Sequence, residues 1–396
     1  MSRTTKSTTT KTLRLGIVGL GNMGSVHAGI ILAGKVPGLQ LIAVCDVNPL
    51  RLAAYPQLQR FADSSEMLKS GAIDAVLIAT PHYAHTTIGI EALKLGLHVL
   101  VEKPISVHKA DCERLIAAYK NKSKKQVFAA MFNQRTDSIY QKIRRVVREG
   151  ELGKIRRVNW IITDWFRTEA YYASGGWRAT WSGEGGGVLL NQCPHNLDLY
   201  QWIFGMPRKV RGFCQFGRYH NIEVEDDVTA YLEYPDGATA VLITSTGEAP
   251  GTNRLEITGE RGKLVMENWK ISFTRNEMGM TEFSRMTTGS YNRPETWNIE
   301  MPVDQKGEQH TGILKNFTNA ALHGEKLLAP APEGIHSVEL ANAIVMSSLT
   351  GTTVEIPFSG ARYEKILKKL IATSRFQKKV SKQTGPAADF TASFQK

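Results

Sequence analysis

The sequence predicts an α/β protein with a doubly wound parallel sheet in its N-terminal part and, after it, an α+β domain with a large open, mostly antiparallel sheet. Three observations lead to this fold class. Up to about residue 135, short apolar runs alternate with amphipathic runs, as strands and helices do around a parallel sheet. A glycine-rich turn joins the first strand to the first helix. From about residue 154, apolar and polar residues alternate with period two, which is typical of half-exposed antiparallel strands.

The N-terminal elements follow one another at short spacing. Asn48-Pro49 and Gly96 are turn residues between them, and Pro104 ends the fourth predicted strand. This alternation favours a doubly wound domain. The predicted strands are 13–20, 39–46, 74–80, 98–104 and 126–135, and the predicted helices are 25–34, 85–96 and 109–122.

The C-terminal elements begin after a helix at about 138–149. Their strands are separated by turns, which indicates a mostly antiparallel sheet. An open sheet must cover its second face, so we expect a homo-oligomer, a dimer or tetramer formed through this sheet. The predicted strands and strand pairs are 154–166, 228–246, 254–268 and 352–357, and the predicted helices are 312–324 and 337–351.

The net charge of +12 is concentrated in three segments. Residues 1–14, 120–125 and 361–396 carry +4, +4 and +7, so the rest of the chain carries −3. Basic tails with few interleaved aromatic residues do not indicate a nucleic-acid-binding surface. No apolar run approaches the ~18 residues that span a bilayer, and the first twelve residues lack a secretory apolar stretch. The four cysteines are scattered without a CxxC pair, so we expect a cytoplasmic protein without a membrane partner.

A GxGxxG motif lies between the first strand and the first helix. Gly19 allows the tight turn, Gly21 lets a pyrophosphate approach the backbone, and Gly24 permits close packing of helix on strand. The N-terminus of the helix supplies amide groups and the positive end of a dipole for the phosphates. The residues predicted to contact a dinucleotide here are Gly19, Leu20, Gly21, Asn22, Met23 and Gly24.

Asp46 ends the second strand, where its carboxylate can accept hydrogen bonds from the adenosine ribose. The same carboxylate would repel a 2′-phosphate, so we expect NAD rather than NADP. Alternatively, Asp46 caps the turn that follows it. Arg51 is close enough in sequence to leave dual specificity open.

The chain resembles the Gfo/Idh/MocA family of NAD(P)-dependent oxidoreductases, which includes glucose–fructose oxidoreductase and inositol dehydrogenase. The resemblance spans about residues 13–360. It implies a Rossmann domain at 13–135 and a substrate and oligomerisation α+β domain at 136–360, between a disordered tail at 1–12 and a basic C-terminal helix and tail at 361–396. The segments that carry it, in the family's order, are GIVGLGNMG at 16–24, ATPHYAH at 79–85, VEKPISV at 101–107, FNQR at 132–135, GGWR at 175–178, GEGGGVLLNQCPHNLDL at 183–199 and PEGIHSVELANAI at 332–344.

The resemblance implies two catalytic residues, Lys103 and His195. A lysine at the carboxyl end of a parallel strand faces the ligand crevice, where its ammonium can stabilise alkoxide character. The resemblance also implies a cis peptide bond before Pro104. Relatives commonly carry Asp-x-x-x-His where this chain has Asn191, four residues before His195, which places both on one helical face. Because an amide cannot exchange a proton, His195 is the candidate for proton transfer, and Asp198 either orients it or lies on the helix surface.

Two further groups of residues are site candidates. Aromatic and arginine side chains of 163–186 can pack on a sugar ring and bond its hydroxyls, or can pack in a subunit interface. The predicted substrate residues are Lys103, Trp165, Arg167, Tyr171, Tyr172, Asn191 and His195. The further predicted cofactor residues are Asp46 and Arg51, from their positions at and after the end of the second strand, and, by their match to family segments, Thr80, Pro81, His85, Glu102, Lys103, Asn133, Trp177 and Arg178.

Three of these assignments have alternatives or limits. His85 can instead cap the next helix, and Arg135, beside Asn133, can instead form a salt bridge. We interpret Cys193 as small pocket lining, because no base is placed in sequence to activate it. No metal-ligand spacing occurs and hydride transfer needs no metal, so no metal is expected.

The resemblance implies an NAD(H)-dependent oxidoreductase that transfers a hydride between nicotinamide and a secondary hydroxyl or ketone of a sugar, glycoside or cyclitol. A pyranoside 3-hydroxyl is one such group. The alternative is an NAD-dependent glycoside-cleaving or epimerising enzyme that works through a transient keto-sugar. The third interpretation, a non-catalytic NAD-binding regulator, predicts loss of the lysine or the histidine, and both are present.

Overall fold

The computed structural model describes residues 11–120, 125–304 and 306–380. Most of the predicted tail at 1–12 therefore lies outside the described residues. The same holds for most of the lysine-rich stretch at 120–125 and for the C-terminal tail from residue 381. Within the described residues, no helix is both long enough and apolar enough to cross a membrane.

A six-stranded parallel sheet forms the N-terminal part of the described chain, which confirms the predicted doubly wound architecture. Its strand order is 3-2-1-4-5-6, so the order reverses between the first and fourth strands. Ligands of such sheets bind at the carboxyl ends of the strands beside this reversal. The strands are β1 (Leu13–Val18), β2 (Leu39–Cys45), β3 (Gln59–Phe61), β4 (Ala75–Ile78), β5 (His98–Val101) and β6 (Phe128–Ala130).

Helices on both faces connect these strands, and local signals set where they begin and end. Asn48 accepts a hydrogen bond from Leu50 N at the start of α2, with Pro49 in the first helical position. The fourth helix begins after Pro81 and is followed by Gly96 in a left-handed conformation. The helices are α1 (Asn22–Leu32), α2 (Pro49–Ala53), α3 (Ser64–Lys69), α4 (His82–Lys94) and α5 (Lys109–Lys120).

A nine-stranded sheet forms the second part of the described chain. Two neighbouring strands in its centre, Ile155–Ile162 and Thr239–Ser245, run parallel to each other. All other neighbouring strands in it are antiparallel. The prediction of a large, mostly antiparallel open sheet is thus confirmed. In sheet order the strands are β14 (Thr296–Met301), β13 (Lys270–Asn276), β12 (Gly262–Glu267), β11 (Asn253–Gly259), β7 (Ile155–Ile162), β10 (Thr239–Ser245), β9 (Glu225–Glu233), β8 (Lys209–Phe216) and β15 (Val354–Glu355).

One face of this sheet carries the second hydrophobic core, which helices of the C-terminal part cover. Three of the residues buried in this core are Trp160 of β7, Leu197 of the helix after the glycine-rich segment 183–187, and Ile344 of the long C-terminal helix. The helices are α6 (Ser138–Arg148), α7 (Glu169–Ala173), α8 (Pro194–Phe204), α9 (Met280–Met286), α10 (Gln309–His323), α11 (Gly334–Thr350) and α12 (Gly360–Thr373).

Helix α10 packs on the first sheet although it follows eight of the nine strands of the second sheet in sequence. Ile313, Leu314 and Phe317 are buried in the same core as β1 and β4. Residues from both ends of the chain therefore meet at the edge of the parallel sheet, where α10 also brings His310 close to the GxGxxG helix.

Two expectations about elements were wrong in detail. The strand predicted at 126–135 ends at Ala130, and the FNQR segment that follows contains a 3-10 turn, Asn133–Thr136. Asn191 lies in a turn, because Pro194 takes the first position of α8, so Asn191 and His195 do not share a helical face.

Candidate active site

The glycine-rich turn is closely packed on its protein side and open on the other. Gly19 has φ +91°, and a Cβ at Gly24 would lie 1.8 Å from Gly19 O, so both positions require glycine. A Cβ at Gly21 would meet no atom of the described residues within 4 Å. Asn22 and Met23 begin α1 directly behind this opening. The turn therefore fits a dinucleotide, whose pyrophosphate would lie against the backbone at Gly21 and the N-terminus of α1.

Asp46 caps the turn that follows it, and its contact with the ribose stays a prediction. Its Oδ1 accepts a hydrogen bond from Asn48 N at 2.8 Å, which caps the turn before α2. Its Oδ2 accepts from Leu20 N at 2.7 Å, inside the glycine-rich turn, and lies 3.2 Å from Arg51 Nη1. The carboxylate is thus fixed beside the turn that would hold the pyrophosphate, with a half-exposed guanidinium next to it.

Lys103 lies beyond the carboxyl end of β5, and its peptide bond to Pro104 is cis, as the resemblance implies. Its Nζ donates a 2.7 Å hydrogen bond to Asn191 O, which joins the parallel sheet to the turn before α8. Burial lowers the pKa of Lys103, while the negative charges of Glu102 and Glu184 oppose that shift. The lysine is therefore closer to proton exchange near neutral pH than a lysine in water.

His195 lies in the first turn of α8. Burial lowers its pKa well below the usual value, and the positive charge of Lys103 lowers it further. Its Nδ1 is buried and has no hydrogen-bond partner among the described residues. The histidine is thus neutral at pH 7, and it keeps one ring nitrogen without a protein partner.

Asp198 does not orient His195 and does not lie on the helix surface. It is fully buried and forms a two-bond salt bridge with Arg135, with both N–O distances at 2.7 Å. Arg135 also pairs with Glu333 at 2.6 Å, so the salt-bridge alternative for this arginine is the one found. This buried cluster connects the end of β6, α8 and the start of α11.

Behind Lys103, a cluster of buried charged and imidazole groups comes from three elements. Glu102 Oε1 lies 2.7 Å from His27 Nε2 of α1, and the His27 ring packs edge-on against His310 of α10. Burial alone would raise the pKa of Glu102, but the hydrogen bond and charge of His27 outweigh it and lower that pKa to about 2. Burial also lowers the pKa of His310 to about 4. Through its contact with His27, Glu102 therefore connects the loop that carries Lys103 to α1 inside the protein.

The predicted aromatic cluster forms a network around the Tyr171 hydroxyl. That hydroxyl accepts hydrogen bonds from Arg178 Nη1 at 2.9 Å and from Gln192 Nε2 at 3.1 Å. It lies 3.4 Å from Asn191 Oδ1, next to the backbone oxygen that binds Lys103. The guanidinium of Arg167 packs over the Trp165 and Tyr171 rings. Four of the predicted substrate residues are thus brought to the mouth of the crevice together with Arg178.

Tyr172 has a different location from its neighbour Tyr171. It is 4% exposed, its hydroxyl bonds Thr246 Oγ1 at 2.8 Å, and its ring packs on His220. These contacts place it in the core beneath the loop, so a direct substrate contact by Tyr172 is not what the geometry favours. Adjacent side chains of an α-helix such as α7 point about 100° apart around its axis, which explains why the two tyrosines diverge.

The remaining predicted cofactor residues border the same crevice. Thr80 Oγ1 is buried without a hydrogen-bond partner among the described residues, and Pro81 precedes α4. The His85 ring lies between the Thr80 and Pro104 carbonyl oxygens, 2.8 Å from each, so it supports both loops. Asn133 donates to Gln309 Oε1 at 2.5 Å. For His85 and Asn133, a direct contact with a cofactor stays a prediction.

Trp177 and Arg178 lie on the loop before the glycine-rich segment 183–187. The Trp177 ring packs edge-on against His82, and Arg178 stacks on both the Trp177 and Tyr171 rings. Lys378, beyond α12, donates to Arg178 O, so the C-terminal segment lies against this loop of its own chain. Burial raises the pKa of the Cys193 thiol to about 12, which agrees with a lining role rather than a nucleophilic one.

Sequence reasoning missed several buried polar residues around the site. His27 and Glu184 stand inside quoted family segments or next to the glycine motif, so their position was a usable signal. Glu225 accepts hydrogen bonds from Gly187 N and Leu189 N and so holds the second glycine-rich segment, residues 183–187. It nevertheless begins β9, far away in sequence. The residues missed are His27, His82, Glu184, Glu225 and His310.

Comparison with known proteins supports the same interpretation. Residues 13–130 match the oxidoreductase family with an NAD-binding Rossmann fold (GFO_IDH_MocA), and residues 140–265 match the GFO/IDH/MocA C-terminal domain. The chain is 25% identical to myo-inositol 2-dehydrogenase of Thermotoga maritima over 268 residues, which cover 65% of this chain and 75% of that protein. It is also 25% identical to inositol 2-dehydrogenase of Rhizobium meliloti over 352 residues, 85% of this chain and 97% of the relative.

A solved structure extends the likeness to the fold as a whole. The WlbA dehydrogenase of Bordetella pertussis, solved in complex with NADH and UDP-GlcNAcA, superposes with a TM-score of 0.73 at 26% identity, over 88% of this chain and 100% of that one. The two family matches cover the parallel sheet and strands β7 to β11 of the second sheet, and the glycine turn between β1 and α1 fits the dinucleotide. The chain therefore belongs to the Gfo/Idh/MocA family and is an NAD-binding oxidoreductase that acts on CH–OH groups.

Proposed function

We propose that this oxidoreductase transfers a hydride between NAD and a secondary hydroxyl or ketone of a sugar, glycoside or cyclitol, and that Lys103 and His195 handle the hydroxyl proton. The relatives support the substrate class, since two are named inositol dehydrogenases and a third was solved with a nucleotide sugar. The observation that carries the proposal is the hydrogen bond from Lys103 to Asn191 O, beside the cofactor turn. Asn191 stands four residues before His195 in the sequence.

Bound NAD supplies the hydride acceptor, or the hydride donor in the reverse direction. Lys103 Nζ donates a hydrogen bond to the reacting oxygen and stabilises the negative charge that develops on it as the carbon gives up its hydride. His195, neutral at pH 7, accepts a hydrogen bond from the same hydroxyl. The hydroxyl proton passes to His195 as the hydride leaves, and Lys103 stays in its ammonium form as the electrostatic partner.

The aromatic and amide side chains orient the ring. Trp165 and Tyr171 offer apolar faces to the C–H surface of a sugar or cyclitol, and the Arg167 guanidinium stacked on both can donate to its hydroxyls. Asn191 can both donate and accept, so it suits a hydroxyl next to the reacting one.

The direct test is a Lys103→Met variant assayed on a panel of glycosides and inositols with NAD and with NADP. Turnover should fall on the order of 10²–10³-fold, because a charge-stabilising donor is lost, while NAD affinity and melting temperature stay near wild type. Lys69→Met is the control, since Lys69 pairs with Glu91 on the surface. A Lys103→Met enzyme with full turnover would refute the assignment.

The same panel separates the other two interpretations if NADH and product are followed together. Stoichiometric NADH supports the dehydrogenase. Product without net NADH would instead identify an enzyme that works through a transient keto-sugar. Tight NAD binding without turnover on any member of the panel would identify a regulator.

A further inference from the structure

Glu184 is a carboxylate buried inside the candidate site, and the mechanism above does not use it. It is 1% exposed and lies at the start of the glycine-rich segment 183–187, which precedes α8. Its Oε2 accepts from Ala179 N at 2.6 Å, and its Oε1 accepts from Asn191 Nδ2. Both donors are neutral, so the buried charge is solvated by dipoles rather than by a direct counter-ion. Such groups in a crevice are candidates for a functional role.

The contact with Asn191 fixes the orientation of that amide. A carboxylate only accepts hydrogen bonds, so the NH₂ group of Asn191 must face Glu184 and its Oδ1 must face the opposite way. On that side lie the Tyr171 hydroxyl, 3.4 Å from Oδ1, and the mouth of the crevice. Glu184 thus presents an acceptor oxygen, not a donor, to a hydroxyl bound there.

Glu184 also acts on Lys103. Its negative charge favours the ammonium form of the lysine, second in effect to that of the adjacent Glu102. The two residues are further connected through Asn191, whose side chain bonds Glu184 and whose backbone oxygen bonds Lys103. One buried carboxylate therefore influences both Lys103, which faces the reacting hydroxyl, and Asn191, which faces the hydroxyl next to it.

We propose that Glu184 is a positioning residue that holds the Asn191 amide with its oxygen toward the substrate and places a compensating negative charge beside the Lys103 ammonium. This inference rests on the proposed function, because it concerns the same substrate site. It assigns Glu184 no direct contact with substrate.

The charged and titratable groups that face Glu184 come from several elements. Burial raises its pKa, and the charges of Arg178 and Lys378 partly offset that rise. A pH profile must be interpreted with all of these groups in mind. They are Arg178 on its own loop, His82 on α4, Lys103 after β5, Tyr172 on α7, Glu225 on β9 and Lys378 beyond α12.

The test begins with Glu184→Gln, which keeps size and shape but removes the charge. We expect kcat to fall about tenfold or more and the alkaline limb of the pH–rate profile to move to lower pH by roughly one unit, because loss of a nearby negative charge lowers the pKa of Lys103. NAD affinity should not change. Glu223→Gln is the matched control, since Glu223 also accepts a backbone hydrogen bond from this loop, from Trp181 N at 2.9 Å.

A charge-relocation variant separates positioning from mere support of the loop. Glu184→Gln combined with Asn191→Asp moves the carboxylate by one hydrogen bond, and we expect the alkaline limb to return toward its wild-type position. A wild-type profile in Glu184→Gln would overturn the inference, and so would a double variant that leaves the limb displaced. Full turnover in Lys103→Met would overturn the proposed function itself. The Glu184 variants keep Lys103, so their results test only the role of Glu184.

Discussion

Single buried charges decide how the crevice responds to pH, and Glu102 is a strongly perturbed carboxylate there. Its folded pKa of about 2 lies below the usual value for a glutamate because His27 binds and stabilises the charged form, despite the opposing effect of burial. A depressed acidic pKa contributes stability that is fully present above the unfolded pKa and lost as pH falls toward the folded one.

We therefore expect the wild-type protein to lose on the order of a few kcal/mol of unfolding free energy between about pH 4.5 and pH 2 through this group. Glu102→Gln should be less stable at pH 7, because the His27 partner loses a charged acceptor, and should show a flatter dependence in that range. Urea unfolding at a series of pH values measures both effects. An unchanged slope in the variant would contradict the assignment of the shift to Glu102.

Asp46 and Arg51 lead to a prediction about cofactor choice. Removing the Asp46 carboxylate should weaken NAD binding about tenfold, the effect of one or two hydrogen bonds, and should weaken NADP binding less. Arg51→Ala is the complementary variant and should weaken NADP more than NAD. Dissociation constants from fluorescence titration give the comparison. Equal losses for both cofactors in Asp46→Ala would leave Asp46 with its turn-capping role only.

The sequence predicted the residues whose role depends on a local motif, and it could not predict those whose partners are distant. Lys103, Asn191 and His195 stand in short segments of fixed spacing, and the fold brings them together. Asp198 was misplaced because its partner, Arg135, is 63 residues away and only packing joins them. Glu184 stands inside a family segment, GEGGGVLLNQCPHNLDL, yet nothing in its spacing shows that it becomes buried against Asn191.

At the scale of elements, the turn between β1 and α1 offers a test in which stability and binding separate. Gly24→Ala would place a Cβ 1.8 Å from Gly19 O, so α1 must move away from β1, and both the melting temperature and NAD binding should fall. Gly21→Ala meets no atom of the described protein within 4 Å. It should therefore keep the melting temperature and lose NAD affinity, because only the cofactor would occupy that space.

Calorimetry and NAD titration of the two glycine variants give the four values needed. A Gly21→Ala protein that binds NAD as well as wild type would show that the pyrophosphate does not lie at this opening. A Gly24→Ala protein with unchanged stability would show that α1 can shift at little cost.

Strong periodicity explains which elements could be predicted. Strands β1, β4 and β7, and helices α4 and α11, are long or strongly apolar and were predicted within a few residues. Strand β3 has three residues and β14 is mostly exposed, so neither carries an apolar pattern. The packing of α10 on the first sheet was also beyond the sequence, because an amphipathic helix does not state which core it joins.

At the scale of the whole molecule, the outer face of the nine-stranded sheet carries several partly exposed apolar side chains. Phe213 of β8 and Tyr231 of β9 point outward from it and are 53% and 40% exposed. Ile161 and Ile243, paired across the parallel strands β7 and β10, are only half-buried on the same side. Apolar side chains on an open sheet face are typical of a surface that another subunit covers.

We expect the wild-type enzyme to be a dimer or tetramer through this face, and Phe213→Glu combined with Tyr231→Glu to yield a smaller species. Two carboxylates in an apolar, desolvated interface would each cost several kcal/mol, which exceeds what most subunit contacts can lose. Leu32→Glu, on the exposed end of α1, is the control for adding charge to an exposed leucine elsewhere. Sedimentation analysis with NAD titration in parallel distinguishes loss of assembly from loss of folding, since the cofactor turn belongs to the other sheet and should bind NAD in both variants. A wild-type monomer at micromolar concentration, or a double variant of unchanged mass, would mean that this face is exposed in the working enzyme and that its aromatic residues serve another contact.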